Sequence, residues 1–474
     1  MTIKTVSSSS SSSGSIDSIN SLPDEVLARV LSFLPTKQAA STSILSKRWR
    51  NLFHLMNLLC ASFDFDDSDL LHPEDGKNLK DSFRDFVEKT LFFSCNPLKR
   101  FSLKFQDDFG HTGRTKKWIS KALERGVSDL DLRVKMMPQI YKSPDLLPVS
   151  VYVNNTLVKL TLGTERGLGI PPYVDVDLPL LKSLSLYTVW YTALDLCEEM
   201  LLGCPQLEEF YIQHLFVPDG KSRFWCLEPP PVYIEHNNIK KLTVHYRDPV
   251  STSRSLVLCT PNVIYLDYAD YLTCSYPDWG TLSSPNNFKA LFEARLNLVF
   301  PPSGRWGNEH VNYSQLMSYI CNVHILHISS HTAEVMYDCL DYWRNHDGFP
   351  FFKNLTTLHL KCRDKEHWKL LSNFIESSPK LETLVLEGLC GISDNCEVVI
   401  VGGNVVKVLE IQGYKGRLGE LNQVKCFLWE LENLEEMKVK ISVDEIENKL
   451  QLAHDLLALP KRSSKCNIHV LLPV

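Results

Sequence analysis

The sequence predicts an α/β chain: a three-helix module, then a long solenoid of repeated strands, then a small strand and helix module at the C-terminal end. Three observations carry this. The stretch from Ser21 to Phe53 is densely helical in pattern and punctuated by Pro23 and Pro35. A short alternating apolar strand core, such as TTLHLK around Leu358, returns twelve times at intervals of about 24 to 32 residues, which is the period of a stacked repeat. From about Val406, three strand patterns alternate with two helical ones.

In chain order, residues 1–14 are a serine-rich tail with too little apolar area to offset the entropy of ordering, so they are expected to be disordered. Residues 15–60 form the helical module. Pro23 suits the first helical position, and Asp24 and Glu25 complement the positive start of the helix. Val26, Leu27, Val30, Leu31 and Leu34 recur at three- and four-residue spacing as one apolar stripe, and Pro35 ends it. Thr36 is placed to cap a second helix over Lys37 to Ser43, and Ser46 a third that carries Trp49, Leu52 and Phe53. Helices this short need packing on each other or on a partner.

Residues 61–95 are expected to be a linker and an amphipathic helix. The acidic run DFDDSD within Phe63 to Asp75 reads as solvated; the glycine a calcium loop needs is replaced by Asp69. Leu79, Phe83, Phe86, Val87 and Leu91 then fall at helical spacing. Residues 96–400 hold the repeats. Their strand cores centre on Leu103, Leu130, Leu160, Leu184, Phe210, Leu242, Leu266, Leu296, Leu326, Leu358, Leu384 and Leu409, the last at the edge of the closing module, 401–474. Each unit buries its leucines only against its neighbours, so the predicted stack is quasi-one-dimensional. The closing module reads as strand, helix (Leu421 to Leu431), strand, helix (Ile446 to Leu459), strand.

Composition narrows the function classes. With 474 residues, 44% of them hydrophobic, the chain has ample material for a buried core. A net charge of −6 gives no footprint for nucleic acid, and no run of about 18 apolar residues offers a membrane span. The N-terminal residues lack the apolar core of a signal peptide, and the 14 cysteines are scattered without zinc-ligand spacing. Location in the cytoplasm or nucleus is expected, with the cysteines serving as small core residues.

The first module also carries a family resemblance. LPDEVLARVLSFLP followed by TKQAASTSILSKRWRNLF resembles a plant-type F-box. The resemblance implies docking on the small Skp-type adaptor that hangs such proteins on a cullin. It points to Leu22, Pro23, Asp24, Leu27, Leu31, Leu34, Pro35, Leu45, Trp49 and Leu52 as the adaptor-binding residues. The basic cluster Lys47, Arg48 and Arg50 either meets acidic adaptor surface or is a solvated helix face. Phrases such as LLGCPQLEEF and SSPKLETLVL resemble the leucine-rich repeats that follow this kind of F-box, although the asparagine that regular repeats carry after the strand is mostly missing. The closing module resembles the FBD module through Gly413 and Tyr414, the Glu420 to Leu431 helix, Leu434 and Glu435, Leu459 and Pro460, and Ser463, Ser464 and Cys466. The tryptophan- and proline-bearing segment often found before an FBD is replaced by SDNCEVVIVGGN. The implied architecture is therefore a three-helix F-box, an irregular leucine-rich-repeat solenoid and a small C-terminal α/β FBD module.

Catalytic patterns are absent from the sequence. There is no phosphate-cradling glycine loop, no GxSxG elbow and no HExxH. His324 and His327 are three apart on a strand and face opposite sides, which argues against zinc. No cofactor or metal is expected, and the chain reads as a non-enzymatic target receptor of a ubiquitin ligase complex. Residues after the strands, Tyr187, Trp190, Tyr191, His245, Tyr246, Tyr268 and Tyr271, are candidates to touch a protein target. A cullin-independent scaffold and a small-molecule sensor are the alternatives.

Overall fold

A computed structural model of the chain describes residues 19, 22–59, 61–67, 79–93, 96–107, 112–136, 147–164, 173–187, 194–215, 232–247, 256–271, 288–300, 316–346, 348–389, 405–442 and 446–472. The chain divides into two units, one of residues 1–107 and 111–132, the other of residues 108–110 and 133–474.

In the first unit the prolines set the helix boundaries. Pro23 and Pro35 stand in extended geometry as the residues before α1 (Asp24–Leu31) and α2 (Thr36–Ser41). Helix α2 gives way to a 3-10 turn, Thr42–Ile44, and Ser46 Oγ accepts the Trp49 amide at 3.4 Å at the start of α3 (Lys47–Leu59). Thr36 thus lies inside α2 rather than capping it. Its hydroxyl accepts the Asp64 amide at 2.8 Å and ties α2 to the next element.

That element corrects the expected linker. Ser62–Asp66 is a strand, β1, paired in parallel with β2 (Arg100–Asp107). Phe63 and Phe65 are buried on one face while Asp64 and Asp66 alternate with them, and Asp66 meets Lys104 at 3.5 Å. Asp64 and Asp66, which suggest a solvated loop, are the half-buried side of a period of two. Helix α4 (Leu79–Phe93) forms as expected, followed after β2 by α5 (Thr112–Glu124) and β3 (Asp129–Met136). The core of this unit is aromatic: Phe53 and Phe86, Phe65 and Phe101, Phe83 and Phe105, and Phe105 and Trp118 pair with centroids 5.8–6.3 Å apart. Arg125 is buried among them. It donates to the Asn96 carbonyl at 2.7 Å and the Leu91 carbonyl at 3.3 Å, with its guanidinium 5.4 Å from the Phe63 ring centre.

The second unit is the stack. Its strands are β4 (Lys159–Thr164), β5 (Ser183–Tyr187), β6 (Glu209–Leu215), β7 (Val232–Glu235), β8 (Lys241–Arg247), β9 (Leu256–Cys259), β10 (Tyr265–Tyr271), β11 (Glu293–Val299) and β12 (Ile325–Ile328). They continue as β13 (Thr357–Lys361), β14 (Thr383–Glu387), β15 (Val408–Tyr414), β16 (Glu436–Ile441) and β17 (Asn467–Leu471). All but β7 and β9 follow one another in sequence order in a parallel sheet; β7 and β9 pair apart, a feature the repeat pattern does not announce. Every strand core read from the sequence lies in one of these strands or in β2 or β3. Helices α6 (Leu194–Leu202), α7 (Ser330–Asn345), α8 (Lys369–Glu376), α9 (Leu418–Glu430) and α10 (Ile446–Leu457) lie on the return paths.

Register explains the stability of the stack. Leu160, Leu184, Phe210, Leu242, Leu266, Ala294, Leu326, Leu358, Leu384, Leu409 and Met437 stand opposite one another strand by strand, each 0–1% exposed. A slip of one residue would turn such a row to solvent. The strand starts are also bound together. The amide one residue before a strand is donated to the same position of the previous repeat, from Lys182 to Val158 through Phe292 to Ile264 and on to Glu435 to Lys407, at 2.7–3.0 Å. Ser329 caps α7 through the Thr332 amide, and the Thr332 hydroxyl donates to the Leu296 carbonyl at 3.0 Å and accepts from the Leu298 amide at 2.8 Å.

From residue 405 the expected order of strand, helix, strand, helix, strand is present, and β15, β16 and β17 continue the same parallel sheet. Gly413 takes positive φ at the register shift near the end of β15 and Gly416 in the turn after it, a backbone state open to glycine. Glu420 then reaches back, and its buried Oε2 accepts the Lys415 and Arg417 amides at 2.9 and 3.0 Å. This back-bonding by Glu420, three residues into the helix, fixes where α9 begins. Burial and the nearby carboxylates of Glu420 and Asp455 push the Tyr414 hydroxyl up to about 12.

Candidate functional site

Helix α1 carries two stripes where the sequence suggested one. Leu27, Ala28 and Leu31 point inward, with Leu52 and Met56 of α3 also buried. Val26 and Val30 stand one helical row away and are exposed. Beyond α1, Phe33 (80% exposed), Ile44 (85%) and Leu45 (66%) project from the breaks between helices. Leu22 and Leu34 extend the same apolar group. Large apolar side chains at such exposure, gathered within about twenty-five residues, have the composition of an interaction surface.

The sequence-predicted residues therefore separate into two roles. Leu27, Leu31 and Leu52 are 3%, 2% and 1% exposed, so they are not contact residues on the free chain; they hold α1 on α3. That corrects their assignment as adaptor-binding. For Leu27 and Leu31 the reason is helical phase: four residues apart on α1, they share its inward side. Leu22, Leu34, Leu45, Pro23 and Pro35 lie at the surface, and Trp49 is half-buried. Asp24 is held by Arg48, whose Nη2 is 2.8 Å from Oδ1 and also donates to the Leu22 carbonyl at 2.6 Å. Arg48 thus fixes the start of α1. Val26, Val30, Phe33 and Ile44 are exposed and missing from the sequence-based set; the last two are the most exposed. The signal for those two was an apolar residue directly beside each helix break, out of phase with the buried pair.

In the second unit the residues between the buried leucines form the open face of the sheet. Tyr187 and Tyr211 pack with ring centres 4.8 Å apart, and the Arg133 guanidinium lies 4.6 Å from the Tyr187 ring centre. Gly163 lies between these two, so close to Arg133 and Tyr187 that a Cβ there would press on both. His245 meets Asp267 at 3.0 Å. Farther along, His327 and His359 stack at 3.9 Å, and Glu293 stands between His327 at 3.2 Å and Arg295 at 2.9 Å. Burial, His359 and Arg295 hold the His327 imidazole down to about 4, and burial also lowers His359. Both rings are neutral at pH 7. Of the aromatic candidates, Tyr187 and His245 lie on this face, whereas Tyr268 is buried and donates to Asp270 at 3.0 Å. Tyr271 is half-buried; Trp190 and Tyr191, and the side chain of Tyr246, lie outside the described residues.

The exposed apolar group coincides with a recognised domain: residues 19–60 match the F-box domain. A protein of Arabidopsis thaliana named as an F-box protein is 54% identical over 463 residues, covering 96% of this chain and 97% of its own. Another from that plant, named as an F-box/LRR-repeat protein, is 39% identical with the same coverage. This chain belongs to the F-box/LRR-repeat family. A third relative, an F-box/LRR-repeat protein of the same plant, is 36% identical over 96% of this chain and 97% of its own. The F-box is thus the module bounded by Pro23 and α3, and the repeats are the parallel stack that follows.

Proposed function

We propose that this chain is the target-recognition subunit of an Skp–cullin–F-box ubiquitin ligase complex. The F-box docks the Skp-type adaptor, the adaptor brings the cullin, and the open face of the repeats holds a target protein. The observation that carries this is the apolar face of Val26, Val30, Phe33, Leu34, Ile44 and Leu45, left uncovered beside a well-packed interior. Covering each such side chain contributes roughly 1.5–3 kcal/mol before the costs of association.

The chemistry asked of the chain is positional. Confining a target lysine beside a thioester carried elsewhere in the complex raises its effective concentration, and no bond is made or broken by this chain. A rigid sheet suits that task, because its face keeps one orientation while successive strands offer different side chains. The closing module, residues 401–474, is read as the FBD module at the end of that platform.

The test is co-purification of the full-length chain with a recombinant Skp-type adaptor and a cullin. Recovery of all three in one complex is expected, with loss of both partners when Phe33 and Leu45 are changed to Ser in a chain that melts as the parent does. Adaptor bound without cullin would leave a cullin-independent scaffold. Neither bound would remove the ligase role.

A further inference from the structure

A strand at the edge of a sheet leaves a row of backbone donors and acceptors without partners. In the first unit that row is shielded on β1, whose outward Asp64 amide is taken by the Thr36 hydroxyl of α2. In the second unit β17 pairs with β16, and among the described residues nothing pairs with its other side. Burial changes accordingly. Met437 and Val439 of β16 are 0% exposed, whereas Ile468 and Val470, next in the same two core rows, are only half-buried. Leu471 and Leu472 are exposed, and from Cys466 to Leu472 the sequence has no Lys, Arg, Asp or Glu, the charged residues that commonly guard an edge. The helix before this strand is open too. Leu452 of α10 packs against Gly416 of the preceding turn, while Leu450 (61% exposed) and Leu457 (55%) lie about 150° away round the helix and face off it.

The backbone of β17 restricts what can complete it. The Asn467 amide donates to the Glu435 carbonyl at 2.9 Å, so Asn467, His469 and Leu471 turn their backbone groups to β16, and Ile468 and Val470 turn theirs to the free edge. Those two stand evenly about His469. A second β17 laid antiparallel, with a twofold axis at His469, sets Ile468 opposite Val470 of the second copy and Val470 opposite its Ile468. Each of these pairs exchanges two amide-to-carbonyl bonds, and the side chains extend both core rows across the seam. A strand whose apolar pattern is symmetric about its centre meets the requirement of an isologous interface, that i touches j and j touches i. No formal charge on β17 opposes its own copy.

We propose that β17 is the self-association edge of this chain: two copies pair through antiparallel β17 strands into a twofold-symmetric dimer. The four backbone bonds at Ile468 and Val470 set the register, and Leu450 and Leu457 of the two α10 helices add apolar area at the same seam. The dimer carries two F-boxes and two repeat faces, so a target with two binding sites is held with avidity. The inference stands apart from the ligase role, because it concerns a surface that the F-box does not contain.

The test is sedimentation equilibrium of the full-length chain from nanomolar to micromolar concentration. A dimer that dissociates on dilution is expected, with the same dissociation constant in the Phe33→Ser, Leu45→Ser variant, whose exposed F-box face is altered. His469→Lys and His469→Glu each set like charges against each other across the twofold axis. Each alone should raise the dissociation constant at least tenfold in a chain whose circular dichroism matches the parent, and an equimolar mixture of the two should recover dimer. Hydrogen exchange on the same samples should find the Ile468 and Val470 amides protected in the dimer and open in either variant alone. A monomer at every concentration overturns the proposal. So does a dimer that neither His469 variant weakens, or one that the F-box double variant abolishes, because the seam then lies elsewhere.

Discussion

The F-box and the repeats use the same residue type to opposite ends. Along the sheet, leucines in register are wholly buried, each against the equivalent residue of the next strand. In the F-box, Leu45, Phe33 and Ile44 stand in solvent, although the module has a buried interior of its own in Leu27, Leu31, Leu52 and Met56. The repeats supply their own partners because every strand has a neighbour. The F-box packs one stripe of α1 and leaves the adjacent one open. Exposed apolar area is thus a local property of phase: the residues facing α3 are structural, and those one row away are available.

The comparison is sharpest in stability measurements. Leu358→Ala empties a fully buried position in the middle of the stack and should cost about 2–5 kcal/mol in denaturant unfolding, whereas Leu45→Ala should change stability by less than about 0.5 kcal/mol. A large loss from Leu45→Ala would mean that this face is interior after all. Glu420→Ala should cost about 1–3 kcal/mol, because the Lys415 and Arg417 amides lose a buried acceptor.

The open face of the repeats should also respond to pH. Since burial, His359 and Arg295 hold His327 near 4, below its ordinary value of about 6.5, the unfolded chain takes up this proton first. Stability from this group is full above about pH 6.5 and is lost as pH falls toward 4. After discounting for its partial exposure, the loss should be about 1 kcal/mol, visible as a melting temperature that drops between pH 7 and 5 and drops less in His327→Gln. The smallest effect belongs to the F-box surface. Breaking the exposed Arg48 and Asp24 pair with Asp24→Asn should cost less than about 1 kcal/mol, less still at high salt.

Much of this architecture was legible in the sequence because period and punctuation carry it. A leucine pair returning at a steady interval predicts a strand wherever it falls, and two prolines delimit α1. What escaped was information that depends on facing. Phe63 and Phe65 were hidden by the aspartates alternating with them, yet in β1 those aspartates are the half-buried side. Leu27 and Val26 look equivalent in a list of apolar positions, and only the location of α3 makes one core and the other surface. Ile264, Phe292 and His324 lie about thirty positions apart in the sequence and become neighbours only when the register is known.

The central claim, that the uncovered stripe of the F-box is its docking face, is tested most directly by titrating a recombinant Skp-type adaptor against the full-length chain and its Phe33→Ser, Leu45→Ser variant. The account predicts at least a hundredfold loss of affinity in the variant with no change in melting temperature. Parent-like affinity in the variant would contradict it.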